Sequence, residues 1–295
     1  MWEIAHYAVE ESAGLARVGV GAICWRLEMS RQNYYAGRTQ RRRRIVDGDL
    51  VAELVRQERK IQPRIGGRKL YWMLQGALEE AGVKMGLDRM FEELRARGML
   101  VPGLLRQWPQ TTRYNPSLAV FHNEIKGLVV TLSNVVWVAD LTYVRTDEGF
   151  LYVSFLTDKY SRKVVGYHAD DTLETKGPLK ALEMALGQLP SGAKPIHHSD
   201  RGCQYCSHEY VGHLKGRGLS ISMTEEDHCA QNAMAERVNG IFKQEYGLGN
   251  GFAKKVHGRI ALKESVHIYN TRRPHTSLNY QVPEAVHRQG MVAKK

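Results

Sequence analysis

Val135-Val136-Trp137-Val138-Ala139-Asp140-Leu141-Thr142-Tyr143-Val144 is an apolar run interrupted by a single carboxylate. With no polar alternation, it reads as a strand covered on both faces. A carboxylate in such a strand costs free energy unless a cation or strong donors compensate it. Asp140 is therefore the first candidate for chemistry. Working outward, Thr146-Asp147-Glu148-Gly149 reads as a turn, residues 150–157 as a second strand and residues 163–168 as a third. A helix over residues 173–189 and a strand over residues 195–200 follow. Three meandering strands, a crossover helix and a further strand predict an α/β sheet of mixed strand direction.

The whole chain has 295 residues, with 42 Lys and Arg against 31 Asp and Glu, a formal charge of +11. That length predicts two domains or one large domain with an appendage. A hydrophobic share of 43% excludes disorder as the dominant state. Residues 1–120 carry 20 basic and 13 acidic side chains, so the basic excess is concentrated there. A fold does not need such an excess, and a polyanionic partner is the usual reason to tolerate it. The apolar runs fall far short of the ~20 residues that cross a bilayer. The start Met1-Trp2-Glu3 lacks the basic and apolar regions of a secretory signal. Four cysteines do not suggest a disulfide scaffold, so a reducing, cytoplasmic setting is expected.

The first part divides into a helical segment over residues 1–60, broken near residues 37–44, and a helix-turn-helix-like region over residues 61–100. Met29-Ser30-Arg31-Gln32 is placed to cap a short second helix. The run Arg41-Arg42-Arg43-Arg44 reads either as a solvated linker or as a phosphate-binding strip. Leu70, Met73, Leu74, Ala77 and Leu78 form one helical face; Leu87, Met90, Phe91 and Leu94 form another, and Gly98 stops it. Arg89, Arg95 and Arg97 lie on or near that second helix, where groove-facing side chains belong. An ordinary helical hairpin fits the same pattern; the basic bias favours DNA. Residues 101–130, with Pro102, Pro109 and Pro116, read as a linker to a core over residues 131–288.

Asp200 stands at the carboxyl end of the fourth strand, where ligands of open α/β sheets bind. A helix over residues 232–246 supplies a third acid. Met234, Val238, Ile241 and Phe242 gather on one side of it; Asn232, Glu236, Asn239 and Lys243 gather on the other. Glu236 is either on a solvated face or, if that stripe lies over the strand ends, beside the aspartates. Lys243 is then roughly 10 Å further along the helix, suited to holding a phosphate. Three clustered acids without a nucleophile suit Mg²⁺ or Mn²⁺, and two such ions can serve phosphodiester displacement. By strand alternation, His198 shares the side of Asp200 and His197 faces the interior. Cys203, Cys206, His208 and His213 lie too close together in sequence to resemble the paired ligands of a zinc finger. Arg272, Arg273 and His275 follow a helix over residues 260–269, either completing its dipole or gripping DNA phosphates.

The spacing Asp140…Asp200, then 35 residues to Glu236, resembles the DD(35)E transposases and retroviral-type integrases. Trp137-Val138-Ala139-Asp140-Leu141-Thr142-Tyr143, His198-Ser199-Asp200-Arg201-Gly202-Cys203-Gln204-Tyr205 and Asn232-Ala233-Met234-Ala235-Glu236 resemble the catalytic motifs of IS3-family insertion-sequence transposases. So does Tyr269-Asn270-Thr271-Arg272-Arg273-Pro274-His275-Thr276-Ser277-Leu278. The segment from Gly66-Gly67-Arg68-Lys69-Leu70 to Arg97-Gly98-Met99-Leu100 is similar to that family's helix-turn-helix.

The resemblance implies an RNase H-like core with a mixed five-stranded sheet and flanking helices. It implies Asp140, Asp200 and Glu236 as catalytic ligands of Mg²⁺ or Mn²⁺, supported by His198, Asn232 and Lys243. Arg68, Lys69, Arg89, Arg95, Arg272 and Arg273 are then the DNA-contacting candidates. It further implies cleavage at insertion-element ends and 3′-OH strand transfer, with terminal inverted repeats and target DNA as partners. A homo-oligomer at synapsis and a frameshift fusion with an upstream helical protein belong to the same expectation. Gln231-Asn232-Ala233 stands where the family has Asp-Asn-Ala, and Gly67 where it has an aromatic residue. The rival readings are a catalytically silent DNA-binding protein that occupies element ends and a nuclease of the same fold that only cleaves.

Overall fold

A computed structural model describes residues 19–102, 120–225 and 232–292. Pro109 and Pro116 of the expected linker, and the Gln231 departure, lie outside the described residues. The chain forms two compact units, one of residues 1–56 and 76–99, the other of residues 57–75 and 100–295.

In the first unit, α1 (Val20–Arg26) is followed by α2 (Arg31–Ile61), the greater part of which belongs here. Ser30 does cap α2, its hydroxyl accepting the Asn33 N–H at 3.1 Å. The break expected near residues 37–44 is absent: α2 runs through Gly37 and the four arginines. Arginine is a good helix former, and one interior glycine costs only about 1 kcal/mol. Two further helices follow the predicted hairpin, α3 (Gly67–Glu80), of which residues 67–75 belong to the second unit, and α4 (Leu87–Ala96). Gly98 adopts φ +62°, the left-handed conformation that ends a helix readily at glycine. Asp47 and Asp49 of α2 hold Arg89 of α4 and Arg97, which follows α4, at 3.2 and 2.8 Å.

The second unit is built on a five-stranded sheet in the order β3-β2-β1-β4-β5. Its strands are β1 (Val136–Thr146), β2 (Gly149–Asp158), β3 (Val164–Asp170), β4 (Ile196–Ser199) and β5 (Ser220–Met223). β1, β2 and β3 form an antiparallel meander, while β4 pairs in parallel with both β1 and β5. Helices α5 (Lys176–Leu186) and α6 (His208–Gly216) connect the parallel strands; α7 (Ala233–Glu245), α8 (Lys255–Thr271) and α9 (Pro283–Val292) follow.

Both faces of the sheet are covered, as the unbroken apolar run of β1 requires. Trp137, Ala139 and Leu156 pack with Ala181, Leu182 and Tyr210 from α5 and α6. On the other face, Val153 and Phe155 pack with Val238, Phe242 and Tyr269 from α7 and α8. The rings of Phe155 and Phe242 stack at 4.7 Å and 13°. A Cβ at Gly166 would run into the carbonyl of Ala181, so a glycine on β3 lets α5 approach closely. Among the described residues no helix is long and apolar enough to cross a membrane.

Candidate active site

β1 and β4 carry two of the three acids to one place. Their parallel register runs Val136–Ile196, Trp137–His197 and Val138–His198. Asp140 and Asp200 each lie two residues beyond the last of these pairs, Asp200 just past the end of β4, so continuing the register sets them side by side on one face. Such strands lie about 4.8 Å apart. The face is the one that Val136 and Val138 present to Ala235 of α7.

α7 supplies the rest. Its apolar side, Val238, Ile241 and Phe242, is buried, whereas Glu236 is exposed in its first turn. The polar stripe nevertheless lies over β1. Asn232 Nδ2 donates to the Ala139 carbonyl at 3.3 Å, and Asn239 Nδ2 donates to Asp140 Oδ2 at 2.7 Å. The other carboxylate oxygen, Asp140 Oδ1, accepts the Leu141 N–H at 2.9 Å. Lys243 Nζ sits 4.4 Å above the Tyr143 ring.

The electrostatics follow from this crowding. Burial, then the Asp200 charge and then the weaker influence of Glu236 push the Asp140 carboxyl up to about 8, against the Leu141 N–H and Lys243. Burial also raises Asp200, partly offset by the Gly202 N–H at 3.0 Å. Burial lowers Lys243, with Asp140 acting against it. Two buried amide oxygens, Asn232 Oδ1 and Asn239 Oδ1, have no hydrogen-bond partner among the described residues. Surplus carboxylate charge amid oxygen donors is the setting a hard divalent cation prefers, so the donor set fits Mg²⁺ or Mn²⁺. Among the described residues, no three Asp, Glu, His or Cys side chains stand close enough to hold one ion together. Chelation by all three acids therefore requires the exposed Glu236 side chain to turn inward.

The two histidines part as strand alternation predicts. His197 meets the Tyr210 hydroxyl at 2.9 Å on the α6 side. His198, fully buried, bonds through Nδ1 to Ser222 Oγ of β5 at 2.9 Å. Cys206 is buried with Sγ 3.8 Å from Met223 Sδ, while Cys203 is exposed.

Several expected DNA contacts are instead engaged within the fold. Arg273 is 2% exposed and meets both oxygens of Glu245 at 2.7 and 2.8 Å. Lys69 joins the same carboxylate at 2.9 Å. Arg272 forks onto Glu58 at 2.9 and 2.6 Å. Arg89 pairs with Asp47 and donates to the Lys84 carbonyl. A buried guanidinium held at two points cannot reach a phosphate without leaving its carboxylate, and in this fold Arg273 is committed to Glu245. The pairings of Lys69, Arg89 and Arg272 likewise engage cations expected to be free. Arg68 and Arg95 are exposed.

Asn239 was not singled out as a site residue, although it lies three positions after Glu236 in the polar stripe. Glu245, the acid that claims Arg273 and Lys69, gave no sequence signal because its partners are distant in the chain.

Two models described as "Integrase core domain" match residues 131–229 and 217–283. The Insertion element IS600 31 kDa protein of Shigella sonnei is 36% identical over 72% of this chain and 78% of its own length. The transposase of insertion sequence element IS629, also from Shigella sonnei, is 31% identical over 90% of each chain. Transposase InsF for insertion sequence IS3fB of Escherichia coli is 28% identical over 94% of this chain and 96% of that one. With the sheet order, the shared step of Asp140 and Asp200 and these matches together, the chain belongs to the IS3-type insertion-sequence transposases of the DDE and integrase superfamily, built on an RNase H-like core.

Proposed function

We propose that the chain catalyses metal-dependent strand cleavage at insertion-element ends and transfers the freed 3′-OH to another phosphodiester. The observation that carries this reading is the Asp140–Asp200 step, roofed by the polar stripe of α7. Asp140, Asp200 and Glu236 would hold Mg²⁺ or Mn²⁺, which when bound supplies positive charge to the attacking and leaving oxygens. Asn239 and the Leu141 N–H fix the Asp140 carboxylate, so that it is oriented before substrate arrives. Lys243 balances charge beside Asp140 and can meet a substrate phosphate. Exposed Arg68 and Arg95 are available for backbone contacts with double-stranded DNA, the proposed substrate.

The test is incubation of duplex element ends with Mg²⁺, comparing the native chain with Asp140→Asn. Nicking and joining by the native chain alone are expected. Nicking that persists undiminished in Asp140→Asn removes that carboxylate from the mechanism. Binding without cleavage by either protein favours a chain that only occupies element ends.

A further inference from the structure

A second surface of the same unit has a composition that the acids do not explain. A hollow of about 450 Å³ lies along α7, α8 and the turn at Thr276–Leu278. Lys69, Arg162, Arg237 and Arg273 line it around an apolar floor that includes Ile241 and Tyr269. No carboxylate lines it among the described residues. Glu245 engages Lys69 and Arg273, which leaves Arg162 and Arg237 without a carboxylate ion-pair partner among the described residues. The field is felt locally: burial first, then Arg273 and Lys69, hold the His275 imidazole down at about 2.

Beside this hollow stands an exposed aromatic stack. Trp72 is 51% exposed, and its ring lies on Tyr280 at 4.8 Å and 24°. Tyr71 meets the same indole edge-on at 5.9 Å. Trp72 is one helical turn along α3 from Lys69, and Tyr280 is three residues beyond Ser277, so both supports of the stack spring from the rim of the hollow. Asn279 and Tyr280 adopt φ of +51° and +62°. A bulky residue there is strained, and the strain accompanies a Tyr280 ring set against Trp72. An apolar core has no need to place a tryptophan in solvent. Cations beside an exposed aromatic platform are the pattern of single-stranded nucleic-acid sites, where phosphates take the charges and bases take the rings.

We propose that this hollow and its stack seat an unpaired stretch of a DNA strand, with phosphates over Arg162 and Arg237 and a base on Trp72. The proposal rests on the transposase reading for its choice of DNA, and it names a part of the substrate that the acids do not contact.

Binding of a short oligothymidylate to the full chain, followed by anisotropy and by tryptophan quenching, tests it. Trp72→Ala is expected to weaken that binding by roughly tenfold, in keeping with the loss of one stacked base. Trp72→Phe restores most of the affinity but lacks the Trp72 quench. Arg237→Ala lowers the salt slope of oligonucleotide binding by about 0.7, the value for one single-strand phosphate. An oligonucleotide affinity indifferent to Trp72→Ala overturns the proposal, as does an equal loss for blunt duplex. The nicking assay is separate: oligonucleotide binding that depends on Trp72 stands even if the native chain cuts nothing, and an indifferent result fails whatever is cut.

Discussion

Asn239 on α7 donates its amide to Asp140 on β1 at 2.7 Å, while its own amide oxygen is buried without a partner among the described residues. This pairing makes Asp140→Asn more than a loss-of-charge substitution. The carboxyl, pushed up to about 8, is mostly protonated in the native fold at pH 7, whereas the unfolded chain leaves it ionised, and holding that proton costs stability. An asparagine removes that cost, and rotation of the Asn239 amide lets its idle oxygen accept from the new NH₂ group. Without metal, Asp140→Asn is expected to be more stable than the native chain by about 1–3 kcal/mol, a Tm rise of several degrees. The same substitution removes nicking. A thermal melt in chelator checks the first outcome; a Tm that falls contradicts it.

Asn239→Ala separates orientation from ligation. It leaves all three acids in place but deprives Asp140 Oδ2 of its donor. Loss of such a supporting bond typically costs about 10–100-fold in metal affinity or activity. The half-saturating Mg²⁺ concentration for nicking is therefore expected to rise, with recovery of rate at high Mg²⁺. A rate loss that no Mg²⁺ concentration repairs argues instead for a part in the chemical step.

Arg272 and Arg273 are adjacent in sequence and unequal in the fold. Arg273→Ala leaves Glu245 buried with Lys69 alone, and breaking a buried pair costs roughly 3–5 kcal/mol. Arg272 is 47% exposed on its side chain, and the 6% exposed Glu58 keeps the Gln62 amide at 2.9 Å when the guanidinium is removed, so Arg272→Ala is expected to cost less, about 1–2 kcal/mol. Denaturant unfolding of the two variants measures the difference. Comparable losses would mean that the Glu245 pair contributes little.

The legible part of the site was the part that local pattern controls. An aspartate in an unbroken apolar strand identifies itself by its cost, and the acids at residues 140 and 200 needed only strand ends to meet. Helical periodicity put Glu236 and Asn239 on one stripe, but only packing against β1 shows which amide takes the carboxylate. β5 escaped residue-level reading because its four residues, Ser220-Ile221-Ser222-Met223, are too short to display a period. The arginines after α8 read as available cations since Glu58 and Glu245 precede them by 214 and 28 residues. Tertiary pairing at such separations leaves no trace in spacing.

The acid sensitivity of the fold depends on groups whose effects oppose one another. Burial first, then the neighbouring His198, hold His197 down at about 3; His275 is held at about 2. Both rings are depressed below their unfolded value of 6.5, so the unfolded chain takes up protons that the fold refuses. Their contribution is complete above pH 6.5 and is lost as pH falls, by up to about 1.4 kcal/mol per unit for each ring. Asp140 acts with the opposite sign: raised from 3.8 to about 8, it binds a proton in the fold before the unfolded chain does. Between pH 6.5 and about 4 it offsets one histidine's share of the slope. Asp140→Asn removes that offset. Without metal, the Tm of Asp140→Asn is therefore expected to fall more steeply with acidification than that of the native chain, although it starts higher at pH 7. Melts at several pH values across this window decide it, and parallel curves would mean that Asp140 does not bind its proton early in the fold.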